Sequence, residues 1–283
     1  MILSFHPMFV GDANRLCAGR DPDAADRAAM ARASAVILPQ GCREPLYRMA
    51  RETGPPLFPD YTARFRYPGK TGQARLFQDI GVPHPETRVF DSPADFREAA
   101  ARSDFPPGGY PAVLKFNGGG EGENVWRLDG PSDLADAFVA AERAARDGRS
   151  GFLVQRWIPG GRRTLRVAAI GDTLRSYWRI QSAGGRFGAG VAGGARLDRD
   201  AFPERQRRGR AAVGRFMERT GINLAGFDLL FADDTPLFLE INYFFGRRGL
   251  GGSEAYYRLL VAAIERWLVA QGLTPPAQHG GDF

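Results

Sequence analysis

Three oxygen-bearing side chains in the stretch Gly226 to Phe245, GFDLLFADDTPLFLEINYFF, have the types and spacing of a cation site. Asp228, Glu240 and Asn242 are hard donors of the kind Mg2+ or Mn2+ takes, and such ions are normally carried by substrate phosphates. A hairpin would position them. Phe227 to Ala232 and Leu237 to Asn242 read as strands joined by the turn-formers Asp233, Asp234, Thr235 and Pro236. A turn centred on Asp234 sets Asp228 opposite Glu240, and the period of two puts Asn242 on their face. Phe227, Leu229, Phe231, Leu237, Leu239 and Ile241 are then expected on the other face, as a wall against the core. A solvated hairpin face is the alternative, and a one-residue slip would separate the two carboxylates.

The basic residues add two further positions. Of 38 Lys plus Arg, only Lys70 and Lys115 are lysine. Positions that keep a compact ammonium on a flexible stem, where arginine is otherwise used throughout, become candidates for chemistry. Lys70 precedes a helix expected over Thr71 to Ile80, stopped by Gly81 and Pro83. The helix dipole gains nothing from a cation there, whereas an ammonium and free helix N–H groups together can hold a phosphate; an ordinary surface lysine is the other reading. Lys115 lies near the end of an expected strand, YPAVLKF, and is followed by NGGGEGENV. Gly118, Gly119, Gly120 and Gly122 let the backbone approach a ligand and turn N–H groups on an anion, so this is either a phosphate-covering flap or a ligand-free hairpin. It is not a Walker loop, because the lysine precedes the glycines and no Ser- or Thr-opened helix follows.

Two more elements carry polar groups suited to a ligand. Phe152 to Ile158, FLVQRWI, is an expected strand whose exit at Gln155, Arg156, Trp157 and Ile158 can hydrogen-bond a purine and pack beside it, or can be plain core. Arg163 to Ile170 and Thr173 to Gln181 are expected to form a hairpin about Gly171 and Asp172. Its pairing places Arg166, Arg175, Tyr177 and Arg179 on one face, and Leu165, Val167, Ala169, Leu174, Trp178 and Ile180 on the other. The arginine face suits carboxylates or phosphates. The glycine-rich segment Ser182 to Gly194 is a linker or a lid, and FFGRRGLGG, Phe244 to Gly252, is a second glycine-bearing loop carrying Arg247 and Arg248.

A chain of 283 residues, 43% apolar and 25% charged, can bury a substantial core around these elements. Residues 1–64 are expected as a small α/β N-terminal domain, too short for two mononucleotide halves and without a glycine fingerprint, which argues against a dinucleotide fold. Residues 65–155 are expected as a lobe with Lys115 and the flap, 156–272 as a lobe with the arginine hairpin and the metal site, and 273–283 as a frayed tail. The net charge of +6 favours anionic partners, but the arginines are spread along the chain and nucleic acid is not expected as a partner. Cys17, Cys42 and three histidines supply no disulfide framework or zinc spacing. No run approaches a membrane span and no secretory leader is expected, so the expected location is the cytoplasm.

Taken together, these pieces resemble the ATP-grasp ligases, especially the branch containing glutathione synthetase and the ligases that add glutamate to ribosomal protein. The resemblance covers about residues 65–270. It rests on Lys70, on Lys115 in YPAVLKFNGGGEG, on LVQRWI where the family's adenine connector often reads LVQEYI, and on Asp228 followed by Glu240, Ile241 and Asn242 as EIN. It implies an α/β ATP-grasp fold of two lobes sandwiching ATP, preceded by a shortened N-terminal domain. It also implies ATP and Mg2+ as cofactors, with Mn2+ as a substitute, and a carboxylate-amine ligase acting through an acyl phosphate. Lys70, Lys115 and the flap glycines then hold phosphates, Gln155 to Ile158 hold adenine, Asp228, Glu240 and Asn242 hold metal, and Arg166 and Arg179 clamp the reacting groups. Small-molecule or peptide carboxylates and amines are the implied substrates, and a homo-oligomer is compatible. An ATP-binding sensor module and a phosphotransferase are the alternatives. The chain departs from the family pattern at Arg156, where an acid is common, and at Thr164. It also departs at Gly188 to Gly190, which replace an Arg-Ser-Asn run, and in YFFGRRG after EIN.

Overall fold

The computed structural model describes residues 1–117, 124–149, 151–159, 162–181 and 195–278. The flap glycines Gly118, Gly119, Gly120 and Gly122 and the segment 182–194 lie outside them.

Short apolar runs between turn-formers build three sheets. The first is parallel, from β1 (Ile2–Ser4), β2 (Ala13–Asn14), β3 (Ala35–Ile37) and β4 (Leu57–Phe58), in the order β2-β1-β3-β4. Its strands are connected through α1 (Ala24–Ala31), opened by a capping box of Asp23 and Asp26, and α2 (Glu44–Thr53). Next come α3 (Thr62–Arg66) and α4 (Gly69–Ile80), the latter two residues longer at its start than its sequence suggests.

The second sheet is antiparallel. It contains β5 (Thr87–Phe90), β6 (Ala112–Phe116), β7 (Val125–Leu128) and β8 (Phe152–Arg156), in the order β5-β8-β6-β7, with α5 (Pro93–Ala100) and α6 (Leu134–Arg146) between strands. Phe90, Phe96, Leu114, Phe116, Phe152 and Ala141 form a core belonging to this sheet and its helices alone.

The third sheet carries the two predicted hairpins. Its order is β11-β10-β9-β12-β13, from β9 (Arg163–Ile170), β10 (Thr173–Ile180), β11 (Arg196–Asp198), β12 (Leu224–Ala232) and β13 (Thr235–Asn242). α7 (Pro203–Thr220) packs Val213 and Phe216 on one face, and α8 (Ser253–Ala270) packs Tyr256, Leu260 and Ile264 beside Ala168 and Ile170 of β9 and Leu224 of β12. The first sheet shares both of these cores. Leu3, Phe5 and Val36 join the core that holds Leu165, Phe227 and Phe238, while Ile2, Ile37 and Phe58 join the one beneath α8. The apolar side chains of residues 1–64, expected as a small α/β N-terminal domain, are continuous with those of the third sheet. In the tail, Gln278 exchanges two hydrogen bonds with the Val10 backbone at 3.0 and 2.9 Å. No helix among the described residues is long and apolar enough to cross a membrane.

One expected face is corrected. The β12–β13 turn contains two residues, with Ala232 opposite Thr235 and Asp233 in the left-handed region at φ 52°. Continued without interruption, that register would set Asp228 against Leu239 and send Glu240 to the other face. The register instead shifts after Leu229↔Phe238, and Asp228 again faces Glu240. Leu239 is therefore the extra residue of a β-bulge. The apolar wall contains Phe238, 1% exposed, where Leu237 and Leu239 were expected. The Phe238 N–H leaves the hairpin and donates to the Pro83 carbonyl at 2.8 Å.

Candidate active site

Cross-strand register assembles one row of side chains over four neighbouring strands. Tyr177 of β10 pairs with Arg166 of β9, Arg166 with Asp228 of β12, and Asp228 with Glu240 of β13. Gly226, two residues before Asp228, leaves room for the arginine. A Cβ there would stand 2.8 Å from Arg166 Nη1 and 3.2 Å from the Phe245 Cβ.

The row's two carboxylates have different surroundings. Asp228 is 3% exposed, and both of its oxygens are engaged. Arg166 donates from Nε to Oδ1 at 2.5 Å and from Nη2 to Oδ2 at 3.0 Å. Arg179 Nη2 pairs with Oδ2 at 2.6 Å, and Asn242 Nδ2 donates to the same oxygen at 3.2 Å. Burial alone would raise the Asp228 carboxyl, but the charges of Arg166 and Arg179 outweigh it and hold the group below its ordinary value. Burial pushes Arg166 the other way, and the Asp228 charge and hydrogen bonds leave it more firmly protonated than a free arginine. Glu240, half-buried on the adjacent strand, accepts no hydrogen bond and forms no ion pair among the described residues. Arg179 keeps a buried Nε without a hydrogen-bond partner among the described residues.

The three predicted metal ligands fit a hard cation in part. Among the described residues Glu240 is unengaged, Asn242 uses only its amide nitrogen, and Asp228 Oδ1 has one partner and so a spare lone pair. Among the described residues no group of three His, Cys, Asp or Glu side chains could hold a metal ion, so an amide, water or phosphate oxygen must complete the shell.

Lys115 belongs to the second sheet, and Lys70 to a helix packed in the core of the third. Lys115 on β6 donates to Gln155 Oε1 of β8 at 2.7 Å, and Gln155 in turn donates to Thr87 Oγ1 of β5 at 2.8 Å. Burial lowers Lys115 from 10.5 to about 8, against the opposing charges of Glu240 and Asp228 and with that of Lys70. Lys70 lies in the first turn of α4. Asn117, just past β6, joins the two lysine-bearing elements: it accepts the Thr71 N–H at 3.1 Å and donates to Thr71 Oγ1 at 2.9 Å. Gln73 ties α4 to the third sheet by bonding both backbone groups of Ile241, each at 2.8 Å, between Glu240 and Asn242. Sequence reasoning missed Gln73 and Asn117. The only signal was their proximity to Lys70 and Lys115.

The connector differs in part from its expected form. β8 is a central strand, paired with β5 and β6 through Gln155 and Arg156, and the Trp157 N–H just past it donates to the Pro111 carbonyl at 3.3 Å. Gln155 is 5% exposed and holds Lys115. Arg156 is exposed and lies over Gly108, Trp157 stands 4.9 Å from the Arg127 guanidinium, and Ile158 makes no backbone hydrogen bond among the described residues.

No protein-family model matches the sequence. The structure aligns with that of a RimK domain protein ATP-grasp from Sphaerobacter thermophilus at a TM-score of 0.62, with 18% identity, over 93% of this chain and 98% of that one. The chain has the ATP-grasp fold. A D-alanine–D-alanine ligase from Bacillus anthracis aligns with this ATP-grasp fold at a TM-score of 0.62 and 14% identity, covering 92% and 86% of the two chains. By sequence, the chain is similar to a probable alpha-L-glutamate ligase from Xanthomonas campestris, 29% identical over 180 residues, which is 63% of this chain and 58% of that protein. The matched region thus spans under two thirds of that relative's length. Within the ATP-grasp fold, the row of Arg166, Asp228 and Glu240 lies on the third sheet, and Lys115 on the second.

Proposed function

We propose that the protein is an ATP- and Mg2+-dependent ligase that joins a carboxylate to an amine through an acyl phosphate. The observation that carries this reading is the charge row. A buried aspartate holds two arginines beside a glutamate with no hydrogen-bond or ion-pair partner among the described residues, and the charges of this row act on a lysine of the other lobe. Such an arrangement suits phosphates and a transferring phosphoryl group. The similarity to probable alpha-L-glutamate ligases supports amino-acid substrates.

Glu240, Asn242 and Asp228 Oδ1 would hold the divalent cation, which neutralises phosphoryl oxygens when bound. The remaining work falls to the chain's own groups. Lys115, steadied by Gln155, offers an ammonium to phosphate oxygens. Arg179 has an Nε–H unpaired among the described residues for the attacking carboxylate or the phosphoryl group, and Asp228 keeps that guanidinium and Arg166 oriented on the row. Attack of the carboxylate on the γ-phosphorus gives an acyl phosphate and ADP, and the amine then displaces phosphate. Neither step requires a side-chain nucleophile.

Release of ADP from ATP in the presence of Mg2+ and pooled amino acids or peptides tests the reading, and absence of ATP binding sinks it. Two isosteric changes on one row separate chemistry from architecture. Glu240→Gln is expected to reduce turnover roughly 100-fold or more with an unchanged melting temperature. Asp228→Asn removes the counter-ion of two arginines and is expected to cost about 3–5 kcal/mol of stability.

A further inference from the structure

A second group of polar side chains stands at the carboxyl end of the first sheet. Open parallel sheets take ligands at this end, where strand exits leave a crevice. His6 follows β1, Gln40 follows β3, and Arg247 reaches the same place from the loop after β13. Two tyrosines of α8 hold them together. Tyr256, fully buried, donates its hydroxyl to Gln40 Oε1 at 2.9 Å. The Arg247 guanidinium lies 5.0 Å from the Tyr256 ring centre and 4.4 Å from that of Tyr257, and the His6 ring meets Tyr257 edge-on at 6.4 Å.

The groups left unused here are all of one kind. Gln40 has spent its acceptor on Tyr256, and its buried Nε2 has no partner among the described residues. His6 accepts the Met8 N–H at Nδ1, 3.0 Å away, so its proton sits on Nε2, which donates to nothing among the described residues. Arg247 donates only to Ser253 Oγ at 3.4 Å and forms no ion pair among them. Burial, and then the Arg247 charge, lower His6 to about 4, which leaves Arg247 as the cation of the group. Buried donors normally find acceptors, so the unpartnered Gln40 Nε2, beside the His6 Nε2–H and the half-buried Arg247 guanidinium, calls for a ligand that supplies acceptors. Arginine's planar fork matches a carboxylate. Phe244, 73% exposed with its ring against Gly41, offers an apolar wall beside it.

We propose that His6, Gln40 and Arg247 form a receptor for a substrate carboxylate other than the one that is activated, so that one substrate is an acid bearing a further carboxylate. The receptor is joined to the charge row through the loop after β13, where Phe245 packs against Gly226. Its use in catalysis rests on the ligase reading; its capacity to bind an anion does not.

Calorimetric titration of the full chain with matched pairs tests this: L-glutamate and L-glutamine, L-aspartate and L-asparagine, succinate and succinamate. The acid of at least one pair should bind tenfold or more tighter than its amide. Arg247→Gln should erase that preference. Gln40→Glu, which keeps an acceptor for Tyr256 but places a carboxylate beside Arg247, should erase it as well. ATP is titrated separately and should bind both variants like the parent chain. Loss of ATP binding in the parent chain counts against the ligase reading and leaves the receptor standing on the acid–amide comparison. Parity in every pair, a preference that survives both substitutions, or displacement of the acid by inorganic phosphate at equal concentration overturns the receptor.

Discussion

Asp228 and Glu240 are neighbours on one strand row, yet the protein uses them in opposite ways. Asp228 is buried and shared by Arg166, Arg179 and Asn242, whereas Glu240 has no partner among the described residues. Lys115 is the third decisive group, with its pKa lowered by burial from 10.5 to about 8. A lysine whose pKa falls on folding binds its proton less firmly in the native chain than in the unfolded one. Native stability therefore rises as pH climbs from about 8 toward 10.5 and is lower below that window. Phosphate beside the ammonium favours its charged form. At pH 9, ATP binding should therefore draw in up to about one proton, read from binding heats in buffers of different ionisation enthalpy. The uptake should vanish in Lys115→Met; equal uptake in both proteins would exclude Lys115 as the phosphate partner.

At the scale of elements, the bulge at Leu239 decides whether the row exists. The two-residue turn alone would put Asp228 opposite Leu239, and the extra residue returns Glu240 to its face. Pro83 and Gln73 support that irregularity by taking the outward backbone groups of Phe238 and Ile241. The side chains of the bulge should then differ sharply in urea denaturation. Phe238→Ala empties a site between Phe77, Phe216 and Phe227 and should cost about 3–5 kcal/mol. Leu239→Ala should cost about 1 kcal/mol or less, as expected of a half-buried position outside the core clusters. Equal losses would contradict the observed register.

The whole molecule is divided differently from the succession of elements along the chain. The second sheet has its own core, but the first and third sheets bury their apolar faces together. A chain beginning at residue 65 would expose Leu165, Phe227 and Ile170 where Leu3, Phe5 and Ile37 now contribute to shared cores. It should bind a hydrophobic dye and lack a cooperative thermal transition. A melt as sharp and as high as that of the full chain would show that residues 1–64 are a separable domain.

Local chemistry made much of this protein legible in the sequence. Period-two alternation and turn residues located both hairpins of the third sheet, and the β9–β10 pairing about Gly171 and Asp172 has the expected register. The scarcity of lysine singled out Lys70 and Lys115, and the expected pairing of Asp228 with Glu240 is present, although it is the Leu239 bulge and not the turn that produces it. Contacts between distant segments decided the rest. Arg166 and Asp228 pair across a sequence separation of 62 residues, Gln73 and Ile241 across 168, and Tyr256 and Gln40 across 216. No local period encodes such contacts, because they follow from how whole sheets and helices stack. Alternation could place two carboxylates on one face, but only the packed sheets could bring the arginines that occupy one and leave the other open.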